Sequence, residues 1–225
     1  MGDSFRTKTN GSRRRSIVID FDGTVTEHDL LDKIALDFGD PAVYQEVEDG
    51  LDAGTMPLRE VIMREFEPVT APLEDVVAWV LDHASVRAGF RELVEGAQAA
   101  GWEVHVVSSG FHELIEPVLE REGVDVQLHA NRVDASPAGW RVDWRYPDDC
   151  DHCGESCKRK LLPDGYVVYV GDGYSDRCAA LAADRVFATR GLARYLSEQG
   201  TPYEPFSDFQ DLSAALAADI AAPSS

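Results

Sequence analysis

The 225-residue sequence contains no stretch of about 18 consecutive apolar residues and so offers no candidate transmembrane helix. It is also poor in positive charge. Its 21 Lys and Arg face 41 Asp and Glu, a formal net charge of −20, whereas a sequence-independent grip on nucleic acid or an anionic membrane needs clustered bases. Any anion site must therefore be positive locally. Cysteine is scarce: Cys150, Cys153 and Cys157 lie together and Cys178 apart, which is not the pattern of a secreted disulfide framework. The opening MGDSFRTKTNGSRRRS lacks the apolar segment of a secretory signal despite Arg13, Arg14 and Arg15. The expectation is a soluble, cytoplasmic protein with disordered tails at 1–15 and 221–225.

What is present is an alternation of short β-branched runs and helix-period segments. SIVID (16–20), WEVHVVS (102–108), GYVVYVGD (165–172) and RVFAT (185–189) read as buried strands, each followed by a helical pattern. The segments starting near His112 (Leu114, Ile115, Val118, Leu119) and after GDGYSD (Cys178, Ala179, Leu181, Ala182) are two of these helices. Such alternation predicts an α/β fold with a mostly parallel sheet. Residues 29–83 break the rhythm with four apolar stripes at helical spacing, for example Leu30, Leu31, Ile34 and Phe38. They predict a helical insertion in a core formed by 16–28 and 84–220. ANRVDASPAGWRVDW (130–144) alternates around a Ser-Pro-Ala-Gly turn and predicts a projecting β-hairpin.

In an open parallel sheet, ligands sit beyond the carboxyl ends of the strands. Three strands end there in polar residues: Asp20-Phe21-Asp22, Ser108-Ser109-Gly110, and Asp172-Gly173 with Asp176 close behind. A chain that curls away after Asp20 aims Asp20 and Asp22 at one cleft. Converging carboxylates need a cation, and hard oxygen ligands suit Mg²⁺ together with a phosphate ester. The expected chemistry is phosphoryl transfer. Asp20 is the nucleophile and Asp22 the general acid and base. Ser108, the amides around Gly110, and Lys158 hold the phosphate oxygens. Asp20, the Asp22 carbonyl, Asp172 and Asp176 hold the metal.

In order and spacing, DFDGTVT, VVSSGF, CKRKLL and GDGYSD resemble the four motifs of the haloacid dehalogenase superfamily phosphatases, spread from residue 20 to residue 176. The resemblance implies a Rossmann-like core with a helical cap inserted after the first motif. It also implies a phosphatase or phosphomutase, because those members keep the second Asp. CDHCGESCKRK and DFDGTVTEHD are similar to the branch holding the methionine-salvage 2-hydroxy-3-keto-5-methylthiopentenyl-1-phosphate phosphatases and the phosphocholine, phosphoethanolamine and pyridoxal-phosphate phosphatases. Phosphoserine phosphatase is the other relative. In it an acidic residue at the Asp29 position and a cap arginine grip the substrate, but here Glu65 stands where that arginine is expected and Arg64 is one residue off.

Plainer readings stand beside these. Asp-Gly pairs also make turns, Ser108 also caps helices, and Asp29 is either a helix cap or a contact to a substrate hydroxyl or ammonium. His28 and His112 are read as surface or capping residues. C-x₂-C-x₃-C with His152 offers zinc ligands, yet zinc sites generally use two ligand pairs separated by a longer loop. The cysteines are therefore read as reduced thiols packing the loop that presents Lys158, with Cys178 in the core. The functional expectation is a Mg²⁺-dependent phosphomonoesterase acting on a small metabolite, most like the methionine-salvage enzyme, with a non-catalytic phosphate-binding protein as the other class.

Overall fold

The computed structural model describes residues 14–146 and 148–221. The expected tails lie outside that range except at their inner ends, where Arg15 begins the first strand and Ala221 ends the last helix. The described residues form a seven-stranded sheet of order β4-β3-β2-β1-β5-β6-β7. Its strands are β1 (Arg15–Asp20), β2 (Glu103–Phe111), β3 (Gln127–Ser136), β4 (Gly139–Asp143), β5 (Tyr166–Gly171), β6 (Arg185–Ala188) and β7 (Glu204–Pro205). All neighbours run parallel except β3 and β4. β1 occupies the centre because every residue from Ser16 to Asp20 is buried, and it pairs with β2 on one side and β5 on the other. Its carboxyl end is thus the switch point where connections leave in both directions.

Alternate β1 side chains enter two apolar clusters, Ile17 and Ile19 on one face and Val18 on the other. The first cluster continues without interruption into the insertion. There the four stripes become α1 (Leu30–Phe38), α2 (Pro41–Asp52), α3 (Leu58–Phe66) and α4 (Leu73–His83). Val47, Leu51, Val61, Phe66, Val76 and Val80 share one core with Ile17 and Ile19. α5 (Phe90–Ala99) then leads back into the sheet, and α6 (His112–Glu122) follows β2 directly.

The hairpin is longer than the alternation suggests and does not simply project. The first part of β3 pairs with β2 from His105↔Gln127 onward, and only from Arg132 does β3 pair with β4. Its tip grips the insertion. Trp140 stacks on Phe66 with centroids 6.4 Å apart, Phe66 meets Phe111 edge-on at 4.7 Å, and Trp140 Nε1–H donates to the Ala71 carbonyl at 3.0 Å. Gly139 is required there, since a Cβ would lie 2.3 Å from the Glu67 carbonyl oxygen.

One expectation changes. The helix after GDGYSD is a single turn, α7 (Arg177–Ala180), with Leu181 beyond it and 43% exposed. The chain must return to the sheet at once: the Asp184 amide donates to the Val167 carbonyl, and the Asp184 carboxylate accepts the Val167 amide. Lys158 opens a short 3₁₀ turn, Lys158–Leu161, at the end of the cysteine loop. β7, α8 (Arg190–Glu198) and α9 (Phe209–Ala221) complete the fold.

Trp140→Ala should destabilise the protein by about 3–5 kcal/mol, since a fully buried indole leaves a cavity between hairpin and insertion. Trp140→Phe, which loses only the hydrogen bond and part of the volume, should cost markedly less. Denaturant unfolding of both variants measures the difference.

Candidate active site

Asp20 is the last residue of β1, and the chain turns sharply over Phe21–Val25 before α1. Asp22 is extended (φ −73°, ψ 121°) and Gly23 is left-handed (φ 76°), which curls both carboxylates toward the crevice. A Cβ on Gly23 would lie 2.4 Å from Asp172 Oδ2, so this glycine is demanded by conformation and by the approach of β5's end. Arg87 holds the turn from outside, donating to the carbonyls of Thr24 (3.0 Å) and Gly23 (3.1 Å).

Lys158, 3% exposed, lies at the centre. Its ammonium donates to Asp20 Oδ1 at 2.5 Å and Asp176 Oδ1 at 2.7 Å. Asp176 also accepts from the Tyr169 hydroxyl (2.7 Å) and from the amides of Asp172 and Gly173 (both 2.9 Å). Burial pushes the Asp176 pKa up, but the Lys158 charge and these donors outweigh it and hold Asp176 below the usual carboxylate range. Asp20 and Asp172 go the other way. Burial, then the neighbouring Asp176 charge, raises both. The Lys158 ammonium thus pairs with two of three clustered carboxylates. One oxygen from each of Asp20, Asp172 and Asp176 lies within 4.8 Å of the others, an all-oxygen, negatively charged donor set that fits a hard divalent cation such as Mg²⁺.

Ser108, in β2, donates to Asp22 Oδ2 at 3.0 Å and accepts the Gly110 amide at 2.8 Å. The Gly110 N–H that the sequence assigns to phosphate is therefore engaged with Ser108. Burial, and next the Asp29 charge, push the Asp22 carboxyl up to about 8, which keeps it protonated at neutral pH. Thr24 donates to Asp172 Oδ1 at 2.9 Å.

Asp29 caps α1, its Oδ1 accepting the amides of Leu31 (2.9 Å) and Asp32 (3.1 Å), and it also lines the cavity above Asp20. That cavity, about 180 Å³, has Asp20, Asp22, Ser108, Lys158 and Asp172 as its floor. Its roof comes from α1–α3: Leu51, Leu58, Val61 and Ile62 are apolar, while Asp32, Glu48 and Glu65 are acidic. Glu65 is buried and its Oε1 has no hydrogen-bond partner. Burial, then Glu48 and Asp32, raise its pKa to about 9. Arg64 points elsewhere and pairs with Glu46 at 3.0 Å. His28 is exposed, and His112 begins α6 with Glu116 3.5 Å away.

Sequence reasoning missed Arg190. It follows β6, is the one non-glycine residue with positive φ among the described residues (47°), and donates to Asp172 Oδ2 at 3.3 Å and to the Glu27 carbonyl. The strand-end rule that singled out the other three strands applies equally to RVFAT and would have found it.

A profile of haloacid dehalogenase-like hydrolases matches residues 17–181. The chain belongs to the haloacid dehalogenase-like hydrolases. Among family members it is similar to the 2-hydroxy-3-keto-5-methylthiopentenyl-1-phosphate phosphatase of Geobacillus thermodenitrificans (strain NG80-2), 32% identical over 201 residues, covering 86% of this chain and 91% of the relative. The enzyme of that name from Exiguobacterium sibiricum is 29% identical over 204 residues, covering 87% and 93%. Solved haloacid dehalogenase-type structures share the fold. A phospho-aspartyl intermediate analogue of phosphoserine phosphatase superposes with a TM-score of 0.70 at 19% identity, covering 90% of this chain and 99% of that one. Phosphoserine phosphatase from T. onnurineus gives 0.68 at 20%, covering 93% and 98%.

Between the ordinary Glu pKa of 4.5 and about 9, folded Glu65 holds a proton that the unfolded chain has lost, so its contribution to stability falls as pH rises through that window. Glu65→Gln keeps the shape and removes the titration. Its melting temperature relative to wild type should therefore increase by several degrees between pH 5 and pH 8.5, as thermal melts across that range would record.

Proposed function

We propose that this chain is a phosphomonoesterase that works through an aspartyl phosphate on Asp20. The observation that carries the reading is the pairing at the end of β1. Asp20 faces the crevice beside Lys158, while the Asp22 carboxyl, two residues on and hydrogen-bonded to Ser108, is raised to about 8 by burial and the Asp29 charge. An Asp20 oxygen attacks phosphorus in line, the ester P–O bond breaks, and Asp22 gives its proton to the departing oxygen. Asp22, now ionised, takes a proton from the water that attacks the acyl phosphate. Phosphate leaves, and both aspartates return to their starting state. Lys158 and Ser108 hold the non-bridging oxygens. Asp20, Asp172 and the Asp22 carbonyl would hold Mg²⁺, with Asp176 supporting them through Lys158 and the 172–173 amides. When bound, the ion would supply positive charge that offsets the repulsion between the carboxylates and the phosphoryl group.

Residues 29–83 act in this reading as the cap that chooses the leaving group and keeps water away. The apolar wall of Leu51, Leu58, Val61 and Ile62 suits an alkyl thioether, and protonated Glu65 suits a hydroxyl or keto oxygen. Together with the named relatives this favours 2-hydroxy-3-keto-5-methylthiopentenyl-1-phosphate. Among the described residues, none lining the cavity is an arginine that could meet the carboxylate of phosphoserine. A second reading comes from the same acidic roof: Asp32, Glu48 and Glu65 complement a cationic nitrogen, as in phosphoethanolamine or phosphocholine. Four free thiols among the described residues suit a reducing cytoplasm.

Phosphate release from a panel of phosphoserine, phosphocholine, phosphoethanolamine, pyridoxal phosphate and the methylthiopentenyl ester should rank the last highest in kcat/KM. A higher rank for an amino alcohol ester would select the second reading. EDTA should abolish activity and Mg²⁺ restore it. Asp20→Asn should reduce kcat by roughly 10³-fold or more with the fold retained. Near-normal turnover in that variant would remove Asp20 as nucleophile.

A further inference from the structure

Cys150, Cys153 and Cys157 lie in the connection between β4 and β5, whereas Cys178 sits in α7, beyond β5. The sequence separates the fourth cysteine from the other three, but the fold does not. All four sulfurs lie within 4.8 Å of one another, and all four are free thiols. Apolar packing alone accounts for buried Cys150 and Cys178 but not for Cys153, which is exposed and still turned into the group.

The loop is built to aim its sulfurs. The Gly154 amide donates to the Cys150 carbonyl at 2.8 Å and the Cys150 amide to the Glu155 carbonyl at 2.9 Å, with Gly154 left-handed at φ 71°. The amides of His152 and Cys153 donate to the Cys150 sulfur, and the Arg159 amide donates to that of Cys157. These amides orient the two sulfurs, although burial still holds the Cys157 thiol above its ordinary range.

We propose that Cys150, Cys153, Cys157 and Cys178 form a tetrahedral tetrathiolate site for a structural Zn²⁺ ion. Zn–S bonds of about 2.3 Å set tetrahedral sulfurs roughly 3.8 Å apart, and Cys153 and Cys157 are already 3.4 Å apart. Four protein sulfurs close the coordination sphere, so this ion does no chemistry. The soft sulfur set is also distinct from the hard oxygen set of Asp20, Asp172 and Asp176. The site ties together segments that matter. Cys157 immediately precedes Lys158, Cys178 lies two residues after Asp176, and Glu155 accepts the Leu58 amide at the start of α3 at 2.9 Å. Zinc would fasten the loop that delivers the buried ammonium to the helix behind the acidic cluster and to the insertion.

The test is elemental analysis of the untagged full-length protein, prepared without chelator and dialysed against Mg²⁺. One zinc per chain is expected, with the four thiols protected from alkylation until the metal is removed. Cys178→Ser should lower zinc to well under one equivalent, and added Mg²⁺ should not restore the lost melting temperature. Because a folding defect would also lower zinc, Co²⁺ titration of the metal-stripped wild-type protein gives an independent readout. Thiolate-to-cobalt charge-transfer absorption saturating at one equivalent is expected. No such absorption, iron in place of zinc, or a Cys153–Cys157 disulfide in protein isolated without reductant would overturn the proposal.

Discussion

The rest of the structure depends on a single buried ammonium. Lys158 reaches the interior at the carboxyl end of the sheet and is stable there only because Asp20 and Asp176 meet it at hydrogen-bond distance. An unpaired buried charge costs several kcal/mol. The requirement fixes more than one contact. Asp176 must face inward, so it also gathers the Tyr169 hydroxyl and the amides after β5, and that shapes the Asp172–Gly173 turn. Asp20 must stand at the last position of β1. Lys158 on Asp20 and Asp176, and Arg190 on Asp172, do not balance these carboxylates together with Asp22, so the crevice stays short of positive charge, a setting suited to a divalent cation.

The insertion is not an independent unit resting on that crevice. Its apolar residues run into the core under β1, and the β3–β4 hairpin clasps the end of α3 through Trp140. The cysteine loop touches the start of α3 through Glu155. α3 is thus held at both ends by elements of the sheet, and it carries Glu65, the buried carboxyl facing the cavity above Asp20. In the proposed reading, leaving-group choice and phosphate chemistry are therefore mechanically joined, so a change in the hairpin or the cysteine loop reaches both.

Much of this was legible in the sequence. Short β-branched runs placed the main strands, because burial on both faces leaves no polar period, and 3.6-residue periods placed the four helices of the insertion, because one-sided burial writes its period into the apolar residues. Polar residues ending apolar runs marked Asp20, Asp22, Ser108, Asp172 and Asp176, since such endings in a parallel sheet face one edge. Tertiary structure alone decided the rest. β3's double pairing rests on backbone register, which no side-chain pattern records. Whether Asp29 caps a helix, whether Gly110's amide is free, and whether Glu65 has a partner depend on neighbours distant in the chain. Arg190's approach to Asp172 arises because β5 and β6 lie side by side, and Cys178's approach to the other three thiols because α7 packs against the Lys158–Leu161 turn; both bring together segments whose separation in sequence says nothing about distance.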